Sequence, residues 1–200
     1  MLAETVATAI EIALRFSRRR AVHRLDREGD TVVVNKIILR AAVPGEADAL
    51  TALTRRSKAY WGYPQAMLDR MAEMLSISSA AIRDGRVVVA ERDCALAGYY
   101  QISGEPPHGE LADLFLEPEV IGTGLGRTLW EHAVESARSA GFHTLTIESD
   151  PHAEAFYLRM GAERVGEREV APGRSLPILR ATVDSKRPFP RRPVDQGDSC

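Results

Sequence analysis

The spacing of apolar residues changes along the chain. Between about residues 37 and 183 it switches between a period of two, typical of half-buried strands, and a period near 3.6, typical of amphipathic helices. This alternation predicts one mixed α/β (α+β) domain in which two helices precede most of the sheet. The predicted strands are 37–41, 86–91, 95–102, 110–116, 143–148, 163–170 and 176–183. Four helices are predicted in this domain. The first begins at Pro44, the second carries Met67, Leu68, Met71 and Leu75, the third runs from Leu125 to Ala140, and the fourth begins at Pro151.

Turn-forming residues mark the boundaries between these elements. Asp93-Cys94 is predicted to be a hairpin turn between two strands, and residues 104–109 a turn-rich loop. Asp150-Pro151 is typical of a helix N-cap followed by proline at the first helical position. Gly141 is placed to end the preceding helix in a left-handed conformation.

The two ends of the chain differ from this domain. Residues 1–36 contain one stretch of helical apolar spacing, an arginine-rich stretch and a polar linker, so we expect a single helix that is loosely attached. We interpret the arginines as a solvated face; the alternative is a patch that binds nucleic acid or an acidic partner. Residues 184–200 combine prolines and charges with few apolar residues, so we predict a disordered tail. The predicted domain is therefore 37–183.

Composition narrows the class of protein. The 200 residues are 44% hydrophobic and 27% charged, as in a globular domain, with a formal net charge of -2. Without a positive field, neither nucleic acid nor an anionic membrane surface is an expected partner. No apolar run reaches the ~20 residues of a membrane span, and Glu4 and Glu11 interrupt the N-terminal apolar stretch, unlike a signal peptide. Cys94 and Cys200 form no disulfide framework, and neither they nor the histidines have metal-ligand spacing, so we predict a cytoplasmic protein without a metal.

The chemical signal is a glycine-rich turn, Ile121 to Gly126, that joins a predicted strand to an amphipathic helix. Glycines at alternate positions let backbone N–H groups converge on one anion, and the helix dipole adds to the attraction. A Walker loop would need Gly-Lys-Ser/Thr, and a dinucleotide fingerprint would need a glycine where Arg127 stands. A phosphate cradle and a purely structural turn remain as alternatives.

Two motifs make the chain resemble the GNAT superfamily of N-acetyltransferases. Gly122, Gly124 and Gly126 match the glycines of its diphosphate turn, and Pro118 matches the proline before that turn. The segment 150–162 resembles its second cofactor motif, in which an Asn or Asp, an alanine, a tyrosine and a glycine recur at this spacing. The resemblance covers about residues 38–183.

This resemblance implies a fold and a co-substrate. The fold would be a mixed, mostly antiparallel central sheet of six to seven strands with about four helices, and two parallel strands splayed at the coenzyme A site. The co-substrate would be acetyl-CoA, with pantetheine pairing along 114–116. Ile121 stands where the family usually has Arg or Gln, which removes one polar contact and leaves the backbone amides to bind the diphosphate. The implied contacts are Leu114, Phe115, Leu116, Ile121, Gly122, Thr123, Gly124, Leu125, Gly126, Arg127 and Asp150.

The resemblance also assigns two catalytic candidates. Tyr157 matches the family tyrosine that protonates the departing thiolate; the alternative is an amphipathic core tyrosine. Glu110 matches the position of a glutamate base in histone acetyltransferases; the alternative is a solvated carboxylate at a strand end. Strand alternation places Asp113 on the face opposite Glu110, so we do not expect both to line one site.

The acceptor pocket is expected at the turn between the first two helices, where Trp61 and Tyr63 either wall the site or pack the turn against the sheet. We therefore predict direct acyl transfer, most simply acetyl, from acyl-CoA to a primary amine of a small molecule or peptide, without a covalent enzyme intermediate. A homodimer is a further hypothesis, since such domains commonly pair. The alternative function is a GNAT-like module that binds acyl-CoA as a sensor or partner with little catalysis.

Overall fold

A computed structural model describes residues 37–84, 86–171 and 173–183. The predicted N-terminal helix, the arginine-rich stretch and the C-terminal tail lie outside these residues.

The described chain is built on one seven-stranded sheet with the order β1-β2-β3-β4-β5-β7-β6. Strands β4 and β5 pair in parallel, and every other neighbouring pair is antiparallel. This arrangement confirms the predicted mixed, mostly antiparallel sheet. The strands are β1 (Ile37–Ala41), β2 (Val87–Arg92), β3 (Ala95–Glu105), β4 (His108–Leu116), β5 (Thr144–Glu148), β6 (Glu163–Ala171) and β7 (Arg174–Thr182).

Helices cover both faces of this sheet. Among the described residues there are five α-helices and two short 3-10 turns, Pro44–Glu46 and Pro118–Val120. The α-helices are α1 (Ala47–Tyr60), α2 (Gln65–Arg70), α3 (Ser79–Arg83), α4 (Leu125–Ser139) and α5 (Pro151–Arg159).

The second predicted helix is shorter than its apolar spacing suggested. Helix α2 ends at Arg70, and consecutive turns then bring Leu75 into the core while Met74 stays 71% exposed. The Ile77 N–H donates to the Thr51 hydroxyl at 3.0 Å, which ties this segment to α1. Helix α3, which the sequence did not predict, follows with Ser78 as its N-cap. A short helix followed by turns therefore buries an apolar residue such as Leu75, as one long helix would have done.

Two hydrophobic clusters define the two faces of the sheet. On the α1 face, Leu50 and Leu53 of α1 pack with Val89 and Tyr99. On the α4 face, one row of α4 packs against apolar residues of the central strands. That row is Leu125, Leu129, Ala133 and Ala137, all buried as its helical spacing predicted.

Two hairpins connect the central strands, one as predicted and one more tightly than expected. Asp93 and Cys94 both have positive φ, 53° and 63°, which confirms the predicted turn. Residues 104–109 do not form the predicted loop, because β3 continues to Glu105 and β4 begins at His108. Glycine fits this strand because a Cβ at position 109 would lie 2.6 Å from the Phe142 ring. The glycine that suggested a loop is therefore required by close packing.

Candidate active site

The parallel strands β4 and β5 separate after three paired positions. The last pair is Glu110 with Thr146, and beyond it β5 pairs only with β7, through Ile147 and Glu148. The β4 edge from Leu111 onward therefore has no strand partner on the β5 side. We call this gap the β4–β5 cleft. An unpaired strand edge offers N–H and C=O groups to an extended ligand, and the splayed geometry matches the expected coenzyme A site.

The glycine turn follows β4 at the mouth of the cleft. Gly122 and Gly124 have φ values of +82° and +97°, a conformation that side chains with a Cβ rarely adopt. Among the described residues, no backbone hydrogen bond of a turn, loop or cap is donated by the N–H of Gly122 or Gly124. Gly124 is also the N-cap of α4. Because glycine has no side chain that could cap the first turn, the N–H groups at the start of α4 face outward. The turn can thus bind an anion through its backbone.

The other residues predicted to bind the cofactor shape this turn. Thr123 uses both of its donors internally: its N–H and its hydroxyl bond to the Val120 carbonyl at 3.3 and 2.8 Å. Gly126 lets α4 approach β4, since a Cβ there would lie 3.3 Å from the Leu116 side chain. Arg127 forms an ion pair with Glu131 one turn further along α4, at 2.8 Å.

Tyr157 lies in the hydrophobic cluster on the α4 face of the sheet. Its ring lies against Trp130 and Phe156, with centroid distances of 5.5 and 5.1 Å, and the residue is only 6% exposed. In the described part of the chain its hydroxyl has no hydrogen-bond partner, yet it is not among the sealed, unpaired polar atoms, which are Arg55 Nε and Trp130 Nε1. Burial and then the charges of Asp113 and Asp150 raise the pKa of Tyr157. The phenol is therefore protonated, and its hydroxyl is not sealed from solvent.

Asp150 lies on the other side of the cleft mouth. Its carboxylate caps α5 by accepting from the His152 N–H at 3.0 Å, and it also accepts from Lys58 Nζ at 2.7 Å and Tyr63 Oη at 2.9 Å. Burial favours a higher pKa for Asp150, but these three donors outweigh it, so the pKa falls below its usual value. The Asp150 carboxylate is consequently ionised, and its three donors hold it in place.

The aromatic residues of the α1–α2 turn gather at the same place. Trp61 stacks on the imidazole of His152, with ring centroids 5.3 Å apart and planes 7° from parallel. Trp61 is still 38% exposed, and the Tyr63 hydroxyl points to Asp150. Both residues therefore lie beside the cap of α5, and their role as walls of an acceptor site stays a prediction.

Comparison with known proteins agrees with this geometry. Residues 51–176, more than half of the chain, match the family model described as an acetyltransferase (GNAT) domain. The chain belongs to the GNAT acetyltransferase family. The predicted N-acetyltransferase class is thereby confirmed.

Individual relatives of this GNAT chain are more distant. It is 29% identical over 133 residues to the 5-NmdU N-acetyltransferase of Pseudomonas phage PaMx11, covering 66% of this chain and 90% of the relative. It is 34% identical over 94 residues to the peptidyl-lysine N-acetyltransferase YjaB of Salmonella typhimurium, covering 46% and 60%. The PaiA N-acetyltransferase of Thermoplasma acidophilum, solved with coenzyme A, superposes with a TM-score of 0.63 at 19% identity, covering 74% of this chain and 99% of that one.

One expectation about this acetyltransferase site was wrong. Gln101 of β3 pairs with Asp113, but the next residue, Ile102, pairs with Leu111, so Ala112 is an extra residue in β4. This bulge reverses the alternation between Glu110 and Asp113. Both side chains therefore face the α1 side of the sheet, whereas simple alternation had placed them on opposite faces.

The two carboxylates differ in their surroundings. Glu110 is exposed, whereas Asp113 is partly buried. Burial, followed by repulsion from Glu110, raises the pKa of Asp113 to about 6, and the charge of Lys58 opposes that rise. The Lys58 ammonium also lies 5.9 Å from the Phe115 ring, on the same face.

Three residues of the site were missed from the sequence. Asp113 was dismissed because no local signal revealed the bulge. Lys58 lies in the last turn of an amphipathic helix, where no local signal marks it as functional. His152 lies two residues after the helix cap, at a position to which the resemblance assigns no role. Contacts with distant segments bring two of them into the site: Lys58 bonds to Asp150, and His152 stacks on Trp61.

Two further observations concern the described residues alone. None of their helices is both long and apolar enough to cross a membrane. They also contain no group of three or more His, Cys, Asp or Glu side chains arranged to hold a metal ion.

Proposed function

We propose that this chain transfers the acetyl group of acetyl-CoA directly to a primary amine that enters the β4–β5 cleft from the α1 face. The observation that carries the proposal is an unpaired strand edge that leads into an open glycine turn. The buried Tyr157, which lies within range of the charges of Asp113 and Asp150, supports it. An extended thioester, its diphosphate and a proton donor for the leaving group have complementary places there.

The proposal assigns acetyl-CoA to particular groups of the cleft. Pantetheine pairs with the backbone of 114–116, and the diphosphate accepts hydrogen bonds from the turn of Gly122 and Gly124. Ile121 contributes no polar group, so the amides and the α4 dipole supply the attraction. The fold shared with an acetyltransferase solved with coenzyme A supports this assignment.

The chemistry requires a neutral amine, a stabilised oxyanion and a protonated leaving group. A backbone N–H on the free β4 edge donates to the thioester oxygen. The amine nitrogen bonds to the carbonyl carbon, the C–S bond breaks with its electron pair on sulfur, and Tyr157 donates its proton to the thiolate. A carboxylate of β4 accepts the proton of the incoming ammonium, and Glu110 is the residue the sequence predicts for that role.

The acceptor class follows from the cleft and from the relatives. The names of two relatives refer to 5-NmdU and to peptidyl-lysine, so we propose an amine on a nucleoside or on a peptide as the acceptor. Trp61 and Tyr63 would line its path, because both lie at the α1 side of the cleft mouth. A homodimer remains a prediction.

The proposal is tested by incubating the protein with acetyl-CoA and a panel of 5-NmdU, a lysine-containing peptide and spermidine. We expect thiol release and acetylation of at least one amine by mass spectrometry. Tyr157→Phe should lower kcat about a hundredfold while acetyl-CoA still binds, because only the proton donor is lost. Tyr60→Phe is the matched control, since Tyr60 is 53% exposed. Binding of acetyl-CoA without any acetylation, in both wild type and Tyr157→Phe, would favour the sensor alternative.

A further inference from the structure

We propose that Asp113, and not Glu110, binds the ammonium of the acceptor and takes its proton. This inference rests on the proposed acetyl transfer and identifies the β4 carboxylate that serves it.

The position of Asp113 carries the first step of the argument. The bulge at Ala112 turns the Asp113 side chain to the α1 face, and Asp113 lies in the stretch of β4 that has lost its pairing with β5. Glu110, in contrast, is the last residue of β4 that is still paired across the cleft. Asp113 also directly precedes 114–116, the segment assigned to pantetheine. It is thus the carboxylate beside the open part of the cleft.

The second step is that Asp113 has no partner. Two other carboxylates around the cleft are paired: Asp150 with Lys58, and Glu117 with Arg56. Within the described chain Glu110 is also unpaired, but its side chain is exposed to solvent. Among the described residues, no side-chain hydrogen bond or ion pair includes the Asp113 carboxylate, although the residue is partly buried. Its oxygens are also not among the sealed, unpaired side-chain atoms. A partly buried carboxylate without a partner is costly to the fold, and a cationic ligand that reaches it lowers that cost.

The charged and titratable groups around Asp113 tune it for this role. In addition to burial, the charge of Glu110 raises the pKa of Asp113, and the charge of Lys58 lowers it. The charge of Asp113 in turn adds to the effect of burial in raising the pKa of Tyr99 and of Tyr157. The resulting pKa of about 6 leaves Asp113 ionised at neutral pH, yet makes it a better proton acceptor than an ordinary aspartate. The group can therefore first pair with an ammonium and then take its proton.

The proton balance links Asp113 to Tyr157. The ammonium gives one proton to Asp113, and the neutral nitrogen then attacks the carbonyl carbon. Tyr157 protonates the departing thiolate and is restored by the second proton of the nitrogen, while the proton on Asp113 leaves to water with the products. Because the charge of Asp113 raises the pKa of Tyr157, neutralising Asp113 makes Tyr157 a stronger acid at the moment when the thiolate forms.

The decisive experiment is the pH profile of kcat/KM for the amine of the panel that turns over best. Wild type should show activity that rises with pH through about 6. Asp113→Asn should lower kcat/KM about a hundredfold or more and abolish that rise. Glu110→Gln should shift the rise to lower pH, because it removes the repulsion that raises the pKa of Asp113. Asp93→Asn, the same change in an exposed hairpin turn, is the matched control.

The outcomes separate the two proposals. If wild type acetylates no amine, the proposed function and this inference both fail. If wild type is active but Asp113→Asn retains the rise near pH 6 and most of its activity, only the role of Asp113 is lost. If Glu110→Gln abolishes the rise while Asp113→Asn does not, Glu110 is the base. Thermal unfolding and acetyl-CoA binding of each variant show that a loss of activity is not a loss of fold.

Discussion

Lys58 is the residue that connects the charges around the cleft. Its ammonium donates to Asp150 at 2.7 Å, with the two side chains only 13% and 11% exposed, and it lies 5.5 Å from the Tyr63 ring. The same charge lowers the pKa of Asp113. One lysine at the end of α1 thus holds the cap of α5 and moderates a carboxylate on β4.

Replacing this lysine tests both roles. Lys58→Met should lower the free energy of unfolding by about 3 kcal/mol at pH 7, because it leaves a buried carboxylate without its counter-ion. The variant should also move the rise of kcat/KM to a pH above that of wild type, since the charge that lowers the pKa of Asp113 is gone. Urea unfolding and the pH profile check these effects. A shift to lower pH would contradict the placement of Lys58 near Asp113.

At the scale of elements, the junction of β4 and α4 depends on backbone conformation. Gly124 and Gly45 both have open space around a virtual Cβ, with no atom within 4 Å. They differ in conformation, because only Gly124 has a positive φ, +97°. This pair therefore separates the effect of backbone strain from the effect of added volume.

Gly124→Ala should destabilise the protein by about 1–2 kcal/mol and weaken acetyl-CoA binding, because a Cβ strains this backbone and moves the N–H groups of the turn. Gly45→Ala should leave both quantities unchanged or slightly raise stability. Calorimetric titration with acetyl-CoA and urea unfolding provide the measurements. Equal affinities for the two variants would show that the turn does not hold the diphosphate through its backbone.

The bulge at Ala112 limits what the sequence could predict about strand β4. The strand was predicted as 110–116 and begins at His108, so its existence and its end were right. The predicted assignment of its side chains to the two faces of the sheet was wrong after Leu111, because an extra residue has no signature in a run of apolar and acidic residues. The partner strand β3 decides where the bulge lies, and that pairing joins residues from separate segments.

For the molecule as a whole, Asp113 links function to stability. Its pKa of about 6 in the folded protein lies above the ~3.9 of an unfolded aspartate. Between these values the folded state holds a proton that the unfolded state has released, so the free energy of unfolding falls as pH rises through this window. Above it the fold carries a penalty of about 3 kcal/mol.

Asp113→Asn should remove that penalty. The variant should be more stable than wild type by up to about 3 kcal/mol at pH 7.5, with little difference near pH 4. Urea unfolding at the two pH values is the measurement, and Asp93→Asn is again the control. Equal gains at both pH values would mean that the charge of Asp113 is not the cause.

The sequence by itself determined the order of the strands and of four of the five described α-helices, the glycine turn, the cap at Asp150 and the family, because these depend on local periodicity, backbone preference and short motifs. Tertiary structure decided what lies together at the cleft. Lys58 meets Asp150 across 92 positions of the chain, and Asp113 joins Glu110 on one face because β3 places a bulge between them. The parting of β4 from β5 is likewise a property of the sheet, since each strand follows a different neighbour beyond Glu110. Such contacts are set by packing between distant segments, and no local pattern encodes them.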